Sequence, residues 1–196
     1  MKAVLGSRLG PKYALVVAGV TFVSLLVAAG LRSAPGVLLL PWQAEFGWDR
    51  GAISLAAAIG IFLYGLIGPF AAALMQTLGV RRTLVGALSL MAVATGLSCF
   101  MTQPWHLIAT WGVLSGVGSG GVAMVLAATI VNRWFATHRG LAMGVLTAST
   151  ATGSLIFIPL MAAATQAHGW RIVAIGIAGA AALLIPLILL LMPETP

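Results

Sequence analysis

Apolar residues run along this chain in six long blocks, not in the alternating or single-stripe patterns of water-soluble elements. Each block is long enough to cross a bilayer as a helix, which takes about 20 residues. The blocks predict spans over 13–40, 52–78, 83–101, 106–131, 141–165 and 172–191. The first is overlong and carries Arg32, Pro35 and Gly36 toward its outer end. Strict alternation over ten-residue segments, the mark of a membrane-spanning strand, is absent, so a β-barrel is rejected. The links between blocks are short and punctuated, as at Gly79–Arg82 and Gln166–Arg171, and make neighbouring spans antiparallel. No soluble domain or linker is visible, so residues 1–196 read as one all-α integral membrane domain, a bundle of six transmembrane helices.

The blocks also repeat. Gly79-Val80-Arg81 is followed after four residues by Gly86, and Gly169-Trp170-Arg171 after four residues by Gly176. Arg50-Gly51 opens a run that reaches Pro69 and then Ala71-Ala72-Ala73; Arg139-Gly140 opens one that reaches Pro159 and then Ala162-Ala163-Ala164. A repeat of about 90 residues inside so apolar a chain is a mark of internal duplication in secondary transporters. It divides the chain into units of about 13–102 and 103–192, with three spans each. An odd number of spans inverts the second unit relative to the first, which gives a 3+3 inverted repeat suited to alternating access. Pro69 and Pro159 then become kinks in equivalent helices, and Pro35 with Gly36 a further hinge.

Composition agrees with a membrane setting: 61% hydrophobic, 7% charged, mean hydropathy +1.10. The net charge of +7 comes from basic residues that are scattered singly or in pairs, with no aromatic-basic face for nucleic acid. They mark sidedness instead. Lys2, Arg8, Lys12, Arg81, Arg82, Arg133 and Arg139 fall on one side; Arg50 and Arg171, with Arg32 near the outer end of its helix, fall on the other. The positive-inside rule therefore puts both termini in the cytoplasm of a cell (plasma or inner) membrane protein. Trp42, Trp48, Trp105, Trp134 and Trp170 stand where an aromatic belt would lie, whereas Trp111 is deeper. Cleavage of the first span as a signal peptide would leave five spans and break the repeat, so the span is read as retained. The lone Cys99 is read as a packing residue.

Candidate chemistry is sparse. Arg32 is a cation near hydrocarbon, and such residues normally face a cavity or a partner. Its planar fork suits a carboxylate. Snorkelling to the outer headgroups fits it equally, and Glu45 and Asp49 are its candidate partners. Thr147, Thr150 and Ser154 share one face of the fifth span at the depth where such folds bind substrate. Hydrogen bonding within or between helices is the simpler role for them. Tyr64 needs a polar partner for its hydroxyl, and Trp111 either lines the same cavity or packs. Gly112, Gly116 and Gly120 form a smooth face for close helix approach. No phosphate-binding loop, metal cluster or catalytic constellation is present in the sequence, so enzyme, nucleotide and cofactor readings are set aside.

Specific residues carry a family resemblance. Glu45-Phe46-Gly47-Trp48-Asp49-Arg50 before the second span and Gly79-Val80-Arg81-Arg82 after it resemble the major facilitator superfamily. Arg133-Trp134-Phe135, Arg139-Gly140-Leu141-Ala142-Met143-Gly144 and Gly169-Trp170-Arg171 are similar to its monocarboxylate and oxalate/formate porter branch. The resemblance covers the whole chain but only the N-terminal six-helix half of a usual member. It implies alternating-access transport of a small organic anion, with Gln76, Gly79, Arg81, Arg82, Arg133 and Arg139 forming a cytoplasmic gate motif. The usual Asp-Arg pair of that motif is replaced by Gln76 and Thr77, which implies a weaker lock. No carboxylate lies within a span to carry protons. The implied partners are the anion, the lipid bilayer and a second six-helix half or a second copy. A fragment, a half-size protein that dimerises and a scaffold module without transport are the alternatives.

Overall fold

A computed structural model describes residues 11–122, 124–135 and 137–192. Lys2, Arg8 and residues 193–196 lie outside the described residues, as does the side chain of Lys12. Six helices follow in order: α1 (Pro11–Phe46), α2 (Arg50–Thr77), α3 (Val80–Ser98), α4 (Pro104–Trp134), α5 (Arg139–His168) and α6 (Trp170–Leu191). Each is long and apolar enough to cross a membrane, so this is a multi-pass helical membrane protein.

Two helices depart from the simple expectation. α1 runs through Pro35, Gly36 and Pro41 without a break and ends at Phe46. Each proline removes one ladder bond. Packing compensates, because Leu31, Ala34, Leu38 and Trp42 form one fully buried stripe at three- and four-residue spacing. α4 is irregular. After a capped start in which His106 Nδ1 accepts from the Thr102 and Gln103 amides, it is π-helical over Ile108–Leu114, α-helical over Ser115–Gly121, and leaves helical geometry at Val122. π-Helical insertions of this kind occur frequently at functional sites.

Packing pairs the helices as α1 with α5, α2 with α4 and α3 with α6, and secondary seams join α3 to α4 and α1 to α6. Glycine permits the tightest of these. A Cβ on Gly112, Gly116 or Gly120 would lie 3.1, 2.8 or 3.1 Å from the carbonyl oxygens of Ala56, Gly60 and Tyr64. On the α1–α5 seam a Cβ on Gly153 would meet the Leu26 carbonyl at 2.8 Å, and one on Gly30 the Phe157 ring at 2.9 Å. Without a hydrophobic drive between helices in lipid, such close van der Waals contact is what holds them together.

The tryptophans correct the aromatic-belt expectation. Trp105 is exposed at its helix end, but Trp42, Trp134 and Trp170 are buried inside the bundle. Trp42 packs on Trp170 and on Trp111 of α4, and Trp134 packs on Tyr13 of α1. Trp42 lies 5.4 Å from Trp111 and 6.0 Å from Trp170 between ring centroids, and Tyr13 lies 5.6 Å from Trp134.

Candidate anion recess and gate residues

Arg32 projects inward. Its guanidinium carbon stands 4.6 Å from the centre of the Tyr64 ring on α2, in cation–π geometry. Its Nη1 is buried and has no hydrogen-bond partner. Arg32 lines a recess of about 40 Å³ with Pro35 of α1, Gly60 of α2, and Trp111, Ser115 and Ser119 of α4. That volume accommodates one or two waters or the head of an anion, but not a whole organic acid. Ile61, which is exposed, stands at its mouth.

The local sequence builds this recess. The glycine seam brings the α4 backbone directly onto α2, which leaves no room for an indole on that side. Trp111 therefore turns toward α1. The Ser115 and Ser119 hydroxyls donate to the Trp111 and Gly116 carbonyls of their own helix, so they offer the recess oxygen lone pairs but no proton. Pro35 leaves the Leu31 carbonyl without its usual helical donor.

The carboxylates do not serve Arg32. Glu45 Oε1 pairs with Arg171 Nη1 at 2.6 Å, and Glu45 Oε2 accepts from Trp170 Nε1 at 2.5 Å. Asp49 caps α2 by accepting from the Gly51 amide at 2.9 Å. Glu45 sits at the end of α1 and thus ties α1 to the start of α6. Among the described residues, Arg32 has no anionic neighbour, and no cluster of His, Cys, Asp and Glu could hold a metal ion.

The hydroxyl face of α5 lies outside the recess. Thr147 and Thr150 donate to the Met143 and Thr147 carbonyls of α5 itself, each at 2.8 Å. Ser154 accepts from Ser33 of α1 at 3.1 Å across the α1–α5 seam. Pro69 and Pro159 are both exposed within continuous helices, at matching places on α2 and α5.

The residues expected to form a gate motif lie at or near helix ends. Gly79 and Gly169 begin α3 and α6 with φ of 91° and 85° and ψ near extended, a backbone region that is essentially glycine-only. Two residues on, Arg81 Nη2 donates to the Leu189 carbonyl at the end of α6 (2.7 Å), and Arg171 Nε donates to the Cys99 carbonyl at the end of α3 (3.4 Å). Arg133 Nη2 donates to the Met75 carbonyl at the end of α2 (3.3 Å), next to exposed Gln76. Arg139 Nε donates to the Phe135 carbonyl at 2.8 Å, and Arg82 is exposed. Cations on terminal carbonyls satisfy orphan acceptors and complement the helix dipole.

Sequence reasoning missed Trp42 as a buried neighbour of Trp111. Its indole nitrogen, like that of Trp111, is buried without a partner. The signal was its place on the stripe Leu31, Leu38, Trp42, which marks a buried position and not a belt position.

Fold and site together define a multi-pass helical bundle with a half-buried arginine lining a small recess. The Major Facilitator Superfamily model matches residues 3–196, and the chain belongs to that family. It is 31% identical over 150 residues to human "Monocarboxylate transporter 14", covering 76% of this chain and 29% of that protein. It is 30% identical over 197 residues to "Uncharacterized MFS-type transporter YcxA" of Bacillus subtilis (strain 168), covering 96% of this chain and 47% of that protein. Rat "Monocarboxylate transporter 13" is 32% identical over 159 residues, covering 80% and 36%. The chain thus spans less than half the length of each of these relatives.

Proposed function

We propose that this chain forms one six-helix half of an alternating-access transporter for small organic anions of the monocarboxylate kind, with Arg32 as the anion contact. The observation that carries this reading is the half-buried Arg32 guanidinium over Tyr64, with its Nη1 buried and unpaired and no carboxylate partner among the described residues. A cation partly withdrawn from water and left without an anion is unfavourable unless a ligand supplies one. The relatives named monocarboxylate transporters support the same substrate class.

The moving scaffold in this reading is a pair of inverted repeats. The helix pairing supports it, because exchanging α1–α3 with α4–α6 turns the α1–α5 pair into α4–α2 and returns α3–α6 to itself. Contacts support it too. Gly30 meets Phe157 while Gly120 meets Ile67, and Arg81 meets Leu189 while Arg171 meets Cys99. Each residue of one pair stands about 90 positions from its counterpart in the other, as duplication requires. The basic residues on the links favour cytoplasmic termini in a plasma or inner membrane. The exposed apolar faces of α2 and α5 suit either lipid or a second six-helix body, and the recess gains the rest of its walls from that body.

Uptake of a radiolabelled short-chain monocarboxylate into proteoliposomes holding the native protein tests the reading. A charge-assisted bond contributes about 1.5–3 kcal/mol, so Arg32→Gln should lower the apparent affinity at least tenfold, with partial recovery in Arg32→Lys. Uptake by Arg32→Gln at the wild-type affinity and rate would remove Arg32 from the site.

A further inference from the structure

Two more donors accompany the Arg32 guanidinium. Trp111 is 2% exposed and Trp42 is 1% exposed, and the Nε1 of each has no acceptor. Buried indole N–H groups usually find a partner, and leaving one unmade is unfavourable. Phenylalanine would fill nearly the same space without that penalty. Packing alone therefore does not account for two such indoles beside a third unpartnered donor.

The three groups are contiguous. Arg32 and Trp111 line the same recess, and Trp111 and Trp42 are in ring contact at 5.4 Å. Trp42 in turn touches Trp170, whose own indole nitrogen is taken by Glu45. The track therefore begins at the Glu45–Arg171 pair and runs inward past Trp42 and Trp111 to Arg32. The recess serines add no donor, since their protons are spent on their own helix. The π-helical stretch Ile108–Leu114 holds Trp111 in place through its contact with α2.

We infer that Trp111, seconded by Trp42, is a specificity-determining residue for the anion, donating its indole N–H to a second acceptor oxygen beside the carboxylate that Arg32 binds. This rests on the anion reading given above. A carboxylate with both oxygens held in the guanidinium fork turns them away from the indoles and leaves those unpaired. An anion with a further oxygen acceptor satisfies both, and sites built to hydrogen-bond a ligand group reject analogues that lack it.

The test compares 2-oxopropanoate with propanoate as competitors of uptake in proteoliposomes holding the native protein. Replacing the Trp111 indole by benzothiophene keeps its shape and removes only the N–H. The affinity ratio favouring 2-oxopropanoate should then fall about threefold to tenfold, the value of one neutral hydrogen bond. Trp42→Phe should lower it by a smaller factor, and Trp105→Phe, at an exposed helix end, should leave it where it was. Wild-type protein that binds both anions, with a ratio unmoved by either Trp111 or Trp42 replacement, overturns the indole assignment alone. Wild-type protein that binds neither anion overturns the anion reading, and the indole assignment with it.

Discussion

Arg81→Ala and Arg171→Ala should each loosen the far end of a different helix, not the start of their own. Arg81 holds the Leu189 carbonyl at 2.7 Å, a charge-assisted bond at a helix C-terminus. Such bonds contribute about 1.5–3 kcal/mol when shielded, and the dipole adds roughly 0.3–1 kcal/mol. Arg81 acts at the exposed end of the bundle, so we take about 1.5 kcal/mol, which corresponds to roughly tenfold in a local opening equilibrium. The amides of the last turn of α6 should therefore exchange about tenfold faster in Arg81→Ala, with partial recovery in Arg81→Lys. Arg171 makes a longer bond of 3.4 Å to Cys99, and its ion pair with Glu45 has side chains 47% and 38% exposed. A bond this long on an exposed side chain contributes at most about 1 kcal/mol, so the end of α3 should loosen by no more than about fivefold in Arg171→Ala. Amide exchange by mass spectrometry on nanodisc-held protein reads both ends in one experiment. Loosening confined to the first turn of the mutated helix, or to one common end in both variants, would refute the reciprocal capping.

Other outcomes follow from the backbone and the lone thiol. Gly116→Ala should lower the thermal midpoint at a cost of about 1–3 kcal/mol, since its Cβ would stand 2.8 Å from the Gly60 carbonyl, whereas Gly96→Ala, with nothing within 4 Å, should be neutral or stabilising. Gly79→Ala and Gly169→Ala should each cost about 1–3 kcal/mol, because both positions have φ near +90° with extended ψ; unchanged melting in either would count against that geometry. Cys99 closes α3 on the side opposite the Arg81 link, so a membrane-impermeant maleimide should label it in intact cells; labelling only in inverted vesicles would reverse the assigned orientation. Burial pushes the Cys99 thiol up, and Arg171 pulls it partly back. The thiolate is the reactive form, so labelling should be slow at neutral pH and accelerate as pH rises beyond the ordinary thiol range.

What the sequence made legible and what it hid divide along a physical line. Position along the membrane normal was readable, because apolar runs and short links assign every residue a depth. The correspondence of Arg81 with Arg171 is written in the residues themselves, because a glycine at positive φ and a terminal cation leave local marks. Azimuth was not readable to the same degree. Glu45 and Arg32 look like possible partners across a loosened helix, but α1 is unbroken and holds them about 20 Å apart along its axis, while its packing on α6 brings Glu45 to Arg171. That separation keeps Glu45 from serving Arg32 as a counter-ion. Trp42 shows the same limit: its depth suits a headgroup belt, but its place on the Leu31–Leu38 stripe turns it into the bundle. The π-helical stretch in α4 changes azimuth without changing composition, so no residue pattern announces it, yet it sets where Trp111 points. The candidate recess is therefore made almost wholly of rotational facts. Depth brought Arg32, Tyr64 and Trp111 to one level, and the α2–α4 glycine seam then decided that they face one another.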